Sequence, residues 1–221
     1  MTARRVVVLR HGRTAHNHTR TWQGQLDVPL DEVGLLQAKV AAKALLDLEP
    51  TAIVSSDLRR ASQTADALAG ATGLPVILDH RLREIDAGRW EGLTTEQIVA
   101  AGDGDVLAGW RRGEDVAVGG VERPSDLGRR GGAALLEHAD ALDGGTLVVV
   151  AHGAVLRTGV LTLLGVEQGR WQGLGSLDNC AWGTLVPLRP WWRLLTWGLT
   201  APGARAAAPP GAEVSAGSPA V

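Results

Sequence analysis

Short apolar runs rich in valine recur along the chain at Arg5–Leu9, Ala52–Ser55, Val76–Leu78 and Thr146–Ala151. They lack polar alternation, which predicts strands buried on both faces rather than strands with one wet side. Between them the period changes to that of helices. Asp31 is a predicted N-cap, and Leu35, Ala38, Ala42 and Leu45 follow at spacings that keep one helical face apolar. A second stripe, Leu58, Ala61, Ala65 and Leu68, begins near Ser56, and a third, Val155, Leu156, Val160 and Leu163, follows His152. This strand–helix alternation predicts an α/β fold, a three-layer α/β/α arrangement around a mainly parallel central sheet. Ala181–Pro187 and Trp192–Trp197 are predicted late or edge strands. From Asp79 to Glu122 the periodicity lapses into glycines, charges and isolated tryptophans, which predicts a long irregular excursion over the rim of the sheet. Residues 201–221 are rich in Ala, Pro, Gly and Ser, a composition that cannot bury a core, so a disordered tail is expected behind one domain spanning 1–200.

Composition narrows the class. Twenty-two basic residues against 24 acidic ones give a net charge of -2, too balanced to neutralise a run of nucleic-acid phosphates. The run Val6–Leu9 is too short for a signal peptide and meets Arg10, and no apolar stretch is long enough for a membrane span. A single cysteine, Cys180, excludes an internal disulfide and reads as a small buried residue, so a cytoplasmic location is expected. No cofactor and no metal is expected: the His11, His16, His18 cluster has no carboxylate at ligand spacing.

The candidate chemistry gathers at strand ends. The first strand runs directly into Arg10-His11-Gly12 and the fourth into His152-Gly153. Parallel sheets bind ligands beyond the carboxyl ends of their strands, so both histidines are expected at one edge. The helix beginning near Ser56 carries Arg59 and Arg60 in its first turn and brings guanidinium groups and a helix N-terminus to the same place. Cleaving a phosphate ester needs a nucleophile, neutralisation of the phosphate oxygens and a proton for the leaving alkoxide. A neutral imidazole held by its other nitrogen can attack, and arginines bind phosphate through paired donors, each worth about 4 kcal/mol at about 4 Å near a protein surface. Glu84, where the chain leaves the sheet, is the candidate proton donor, since a neighbouring phosphate dianion favours a protonated carboxyl. Glu91 rivals it on charge alone. Arg59 is expected to pair with Asp57 or Asp66 in solvent, and Asp86 reads as a turn residue. The tryptophans at 90, 110, 191, 192 and 197 read as packing or dimer surface.

Leu9-Arg10-His11-Gly12-Arg13-Thr14, taken with Asn17, Ser56-Asp57-Leu58-Arg59-Arg60-Ala61, Glu84 ahead of Gly88-Arg89-Trp90-Glu91-Gly92, and Val150-Ala151-His152-Gly153, resembles the histidine phosphatase superfamily, also called phosphoglycerate mutase-like. The likeness covers roughly residues 4 to 199. It implies that His11 is the nucleophile, that Arg10, Arg60 and His152 complete a phosphate pocket, and that Glu84 is the acid. It also implies that Asn17, Gln23, Gly24, Gly153 and Arg13 contact substrate, and its habit is a homodimer. The segments after the signature are similar to those of phosphatases rather than mutases, which implies hydrolysis of a small phosphorylated metabolite such as a glycerate or sugar-acid ester. A phosphoglycerate mutase and an idle phosphometabolite-binding protein are the alternatives. Three positions depart from the family pattern: Arg13, expected to make the pocket more cationic, His16, and Arg123 after Glu122.

Overall fold

A computed structural model describes residues 2–117, 119–166, 173–188 and 190–202, so the expectation of a disordered tail lies outside the described residues from 203 onward. In chain order the elements are β1 (Arg5–Arg10), α1 (Ala15–His18), α2 (Glu32–Leu45), β2 (Pro50–Ser55), α3 (Arg59–Thr72), β3 (Val76–Leu78), α4 (Thr95–Ile98), α5 (Gly104–Arg111), α6 (Pro124–Asp140), β4 (Thr146–Ala151), α7 (Gly153–Leu163), β5 (Trp182–Leu188) and β6 (Trp191–Leu199). The strands form one sheet in the order β3-β2-β4-β1-β5-β6. Its first four strands are parallel, while β5 runs antiparallel to β1 and β6 antiparallel to β5. The mainly parallel three-layer prediction holds.

Alternate residues of each strand feed opposite cores. Val7, Leu9, Ile53, Val148 and Val150 pack with Ala38, Ala41, Ala42 and Leu45 of α2 and Ala61, Ala65 and Leu68 of α3. Val6, Val8, Val54, Leu147 and Val149 pack on the other face with Leu127 and Leu135 of α6 and Val155, Leu156 and Val160 of α7. A strand buried on both faces has no polar alternation to show, which is why these runs read as continuous.

Three expectations need correction. Leu35 does not point inward but is 42% exposed. The inward positions in that turn are Gly34 and Gln37, because the helix lies against the backbone of Arg13. A Cβ at Gly34 would meet the Arg13 carbonyl oxygen at 2.0 Å, and Gln37 Oε1 accepts from the Arg13 amide at 2.9 Å. The 79–122 excursion is not irregular. It contains α4 and α5 plus single tight turns at His80–Leu82 and Gly88–Trp90, elements too short for a 3.6-residue period to register. Thr94 opens α4 with a capping box, and Trp90, Ile98, Leu107 and Trp110 turn into the core. Ala201, assigned to the tail, is buried against the α2–α3 face.

The longest helix, α6, had no sequence signal because glycine makes much of its buried side. A Cβ at Gly131 would stand 2.8 Å from Val155 Cγ2 and one at Gly132 2.9 Å from Thr162 Cβ, so α6 approaches α7 more closely than larger side chains permit.

Candidate active site

The register brings the chemistry together. Arg10 of β1 lies opposite Ala151 of β4, and Val150 lies opposite Ser55 of β2, so three strands end level and His11, His152 and Ser56 each follow the end. Beyond this edge opens a cavity of about 220 Å³ lined by Arg10, His11, Gln23, Gly24, Arg60, Glu84 and Gly153, joined by Trp22, Trp110, Arg157 and others.

His11 is buried and its Nδ1 lies 2.7 Å from the Gly12 carbonyl. A carbonyl only accepts, so Nδ1 carries the proton and Nε2 keeps its lone pair. The turn holding this ring is tight: a Cβ at Gly12 would meet the Gly34 carbonyl oxygen at 2.5 Å. The His11 carbonyl accepts from Asn179 Nδ2 and, with that of Arg10, from the Cys180 amide. Cys180 adopts a left-handed backbone, φ 55°, to reach them, and burial pushes its thiol up to about 12. Burial, then the positive fields of Arg60 and Arg10, hold the His11 imidazolium well below the ordinary histidine range. The ring is therefore neutral at neutral pH.

Arg60, fully buried in the first turn of α3, donates to the carbonyls of Leu26 (2.7 Å) and Gly24 (2.8 Å) and through Nε to His152 Nδ1 (3.1 Å). Burial draws its pKa down to about 10. Because His152 Nδ1 accepts, its Nε2 carries the proton and donates to Ser56 Oγ at 2.9 Å. His152 lies outside the cavity lining, with its ring centroid 5.0 Å from that of His11, so it backs the His11 ring and orients Arg60. Its own charged form is disfavoured by burial and then by Arg60. Arg10 donates to the Leu177 carbonyl, while its buried Nε has no hydrogen-bond partner among the described residues.

Glu84 sits at the N-terminus of α7. Its Oε2 accepts from the Ala154 amide (3.1 Å) and its Oε1 from those of Val155 (3.1 Å) and Ile85 (3.0 Å). Glu91 lies elsewhere, accepting from the Gln25 amide at 2.6 Å, so geometry separates the two carboxylates. Gly24 lines the cavity with φ 50°, and a Cβ there would strike Glu91 Oε1. Gln23 also lines it and accepts from Thr14 Oγ1, whereas Asn17 stands a step back, capping α1 with Thr14 and accepting from Asn179.

Arg13 does not reach the cavity. Its Nε pairs with Asp31 at 2.8 Å, which neutralises the extra charge the sequence suggested for the pocket. Asp57 pairs with Arg83 rather than Arg59, whose backbone amide donates to Asp27. Asp86 is a turn residue as read, accepting from the Gly88 amide. Trp110, read as packing or dimer surface, lines the cavity edge-on to Trp22, with centroids 5.2 Å apart. Arg123 leans away, donating to the Asp115 carbonyl.

Two functional candidates had escaped the sequence. Arg157 lies one turn along α7 from Gly153, a spacing that could have flagged it once α7 was placed. Arg130 of α6 donates to the carbonyls of Arg81, Arg83 and Glu84 and pairs with Glu122, clamping the loop that carries Glu84. Lying on a helix that gave no signal, it was invisible.

Residues 6–200 match the histidine phosphatase superfamily (branch 1). The chain is 40% identical over 218 residues to a glucosyl-3-phosphoglycerate phosphatase of Mycobacterium tuberculosis, covering 91% of this chain and 97% of that one. It is 35% identical over 181 residues to a probable phosphoglycerate mutase of Yersinia pestis, covering 80% and 81%. The structure of a mycobacterial glucosyl-3-phosphoglycerate phosphatase complexed with VO3 superposes with a TM-score of 0.84 at 40% identity, covering 90% of this chain and all of that one. This chain belongs to branch 1 of the histidine phosphatase superfamily. Within it, the chain is a phosphoric monoester hydrolase, as its motifs led us to expect. The resemblance read in Gln23-Gly24-Gln25-Leu26-Asp27 and Trp90-Glu91-Gly92-Leu93-Thr94 is to these same relatives, the glucosyl-3-phosphoglycerate phosphatases.

Proposed function

We propose that this phosphatase cleaves its ester through a phosphohistidine on His11, with glucosyl-3-phosphoglycerate, the ester for which its relatives are named, as its substrate. One observation carries the mechanism: a neutral imidazole with its Nδ1 proton committed to Gly12 lines the cavity that holds Arg10, Arg60 and Glu84. Arg10 and Arg60 neutralise the bound phosphate, and His152 holds the Arg60 fork in register. The lone pair on His11 Nε2 attacks phosphorus, the ester P–O bond breaks, and the leaving oxygen takes a proton from Glu84. Phosphate arriving beside Glu84 places like charge against its carboxyl and favours the protonated form the step requires. Water then attacks phosphohistidine, gives its proton to Glu84, and inorganic phosphate leaves with His11 restored. Gln23, Gly24 and Gly153 contact the bound ester, while Asn17 and Arg13 act one step back through Thr14 and Asp31.

The enzyme is assigned to the cytoplasm as a homodimer. No helix among the described residues is long and apolar enough to cross a membrane, and its only cysteine is a buried free thiol. The edge strand β6 leaves Trp191, Leu195 and Leu199 exposed for a second copy. A monomeric sedimentation profile would remove the dimer without touching the chemistry.

The test of function is a panel of glucosyl-3-phosphoglycerate, 3-phosphoglycerate, sugar phosphates and α-ribazole phosphate. The highest kcat/KM for phosphate release is expected with glucosyl-3-phosphoglycerate. Isomerisation of 3-phosphoglycerate outrunning phosphate release when bisphosphoglycerate is added would instead make the chain a mutase.

A further inference from the structure

We propose that Gln37 of α2 is a positioning residue for the nucleophile, acting on His11 through the peptide that joins Gly12 to Arg13. This inference rests on the phosphohistidine reading. The other buried residues of α2 are Gly34, Ala38, Ala41, Ala42 and Leu45, so hydrophobicity gives no reason for a glutamine among them. Burying its amide costs about 1–3 kcal/mol unless it is hydrogen-bonded. Its Oε1 accepts from the Arg13 amide at 2.9 Å. The carbonyl of that same peptide unit, belonging to Gly12, accepts from His11 Nδ1 at 2.7 Å.

The bonds run one way, from the imidazole through the peptide to the glutamine. Because the peptide is conjugated, an acceptor on its N–H leaves more negative charge on its oxygen, and the two bonds strengthen each other by about 10–30%. A stronger acceptor at Nδ1–H raises the electron density on Nε2, the nitrogen that attacks. It also fixes the plane of the ring. Gln37 thus orients the nucleophile at one remove, as the third group of a catalytic triad orients its base. The surrounding contacts fix where the peptide lies. The Asp31 amide donates to the Arg13 carbonyl at 3.0 Å, and α2 presses so closely here that only a glycine fits at position 34. The preceding peptide is held from α3: the Gly12 amide donates to Thr64 Oγ1 at 3.1 Å, and that hydroxyl donates to the Arg60 carbonyl at 2.7 Å. Thr64 therefore ties the His11 turn to the helix carrying Arg60, while Gln37 is the side chain whose bond continues into the imidazole. Were Gln37 only a partner for the Arg13 amide, its loss would cost stability and leave the chemistry alone.

The experiment compares wild-type enzyme, Gln37→Met, which keeps the length of the side chain without its acceptor, and Gln37→Glu, which keeps an acceptor oxygen. First-turnover release of p-nitrophenol from p-nitrophenyl phosphate reads the attack by His11 without calling on Glu84. The Nδ1–H resonance of His11 in ¹⁵N-histidine-labelled enzyme, assigned by its loss in His11→Ala, reads the hydrogen bond. Gln37→Met should slow the first turnover about 10-fold and move that resonance upfield, while inhibition by inorganic phosphate, which reports Arg10 and Arg60, stays within about 2-fold. Gln37→Glu should restore most of the rate. A first turnover within about 2-fold of wild type in Gln37→Met overturns the proposal. So does a slower one that leaves the resonance unmoved, that brings an equal weakening of phosphate inhibition, or that Gln37→Glu shares in full. Should Gln37→Met fail to fold, Gln37→Asn, which draws the acceptor back by one methylene, takes its place with the same outcomes. If wild-type enzyme turns over p-nitrophenyl phosphate without labelling His11, the phosphohistidine reading falls. Labelling of His11 that is indifferent to residue 37 removes only the role of Gln37.

Discussion

The floor and the rim of the cavity are built in different ways. On the floor, His11 and Arg60 line the cavity with Ser56 and His152 behind them, all four almost wholly buried beyond three strands that end level. Backbone carbonyls hold His11 and Arg60, and His152 bridges Arg60 to Ser56. The rim draws Trp22, Glu84, Trp110 and Arg157 from four separate segments, with Glu84 placed by amides of α7 and a clamp from α6. In the proposed mechanism the floor recognises what every phosphate ester shares, so it can be rigid and independent of the leaving group. The rim would then meet what differs between esters, and its parts can change without disturbing the sheet.

That contrast makes the effect of a substitution depend on where it falls. The largest effect expected at the rim is that of Glu84→Gln. It should lower kcat about 10²- to 10⁴-fold for alkyl esters and much less for p-nitrophenyl phosphate, whose leaving group needs no proton. Equal losses on both would make Glu84 part of the floor. Next is Arg130→Leu, which unties three carbonyls of the acid's loop and leaves Glu122 unpaired. An about 10-fold loss of kcat with alkyl esters is expected, together with about 2 kcal/mol of stability because the pair is partly exposed. Urea unfolding and steady-state kinetics check both, and a stability loss with no kinetic effect would separate the clamp from catalysis.

The floor predicts a pH signature. His11 and His152 are neutral in the folded protein, with pKa values below those of the unfolded chain. Below about pH 6.5 the unfolded state therefore binds more protons, so stability falls as pH drops from there toward the folded values. The steepest slope is about 1.4 kcal/mol per pH unit for each histidine. Urea midpoints between pH 7.5 and 5.5 measure it, and a flat profile would mean that both rings titrate as they do in water. The smallest effect is that of Arg13→Gln. Because Arg13 pairs with Asp31 outside the cavity, selectivity between esters should move less than about 3-fold and stability by about 1 kcal/mol.

The floor was readable in the sequence because its residues directly follow strands whose apolar runs are unmistakable, as His11 follows Val6–Leu9 and His152 follows Thr146–Ala151. A strand end converts position in sequence into position in space. The rim had no such conversion. Arg157 and Trp110 sit on short or late helices whose placement depends on tertiary packing, and Arg130 lies on a helix whose buried side is largely glycine and alanine. Glu84 and Glu91 were equivalent as charges until α7 supplied amides to one and the Gln25 amide engaged the other. Leu35 misled because burial at that turn is decided by how closely α2 approaches Arg13 rather than by hydrophobicity.

The central claim is that the phosphoryl group passes through His11. Rapid quench of the enzyme with ³²P-labelled 3-phosphoglycerate tests it most directly. The account predicts alkali-stable, acid-labile label on His11 in the first turnover, decaying as phosphate appears, with no label and at least about 10⁴-fold slower turnover in His11→Ala. Phosphate release at the wild-type rate from His11→Ala, or label on another residue, would contradict it.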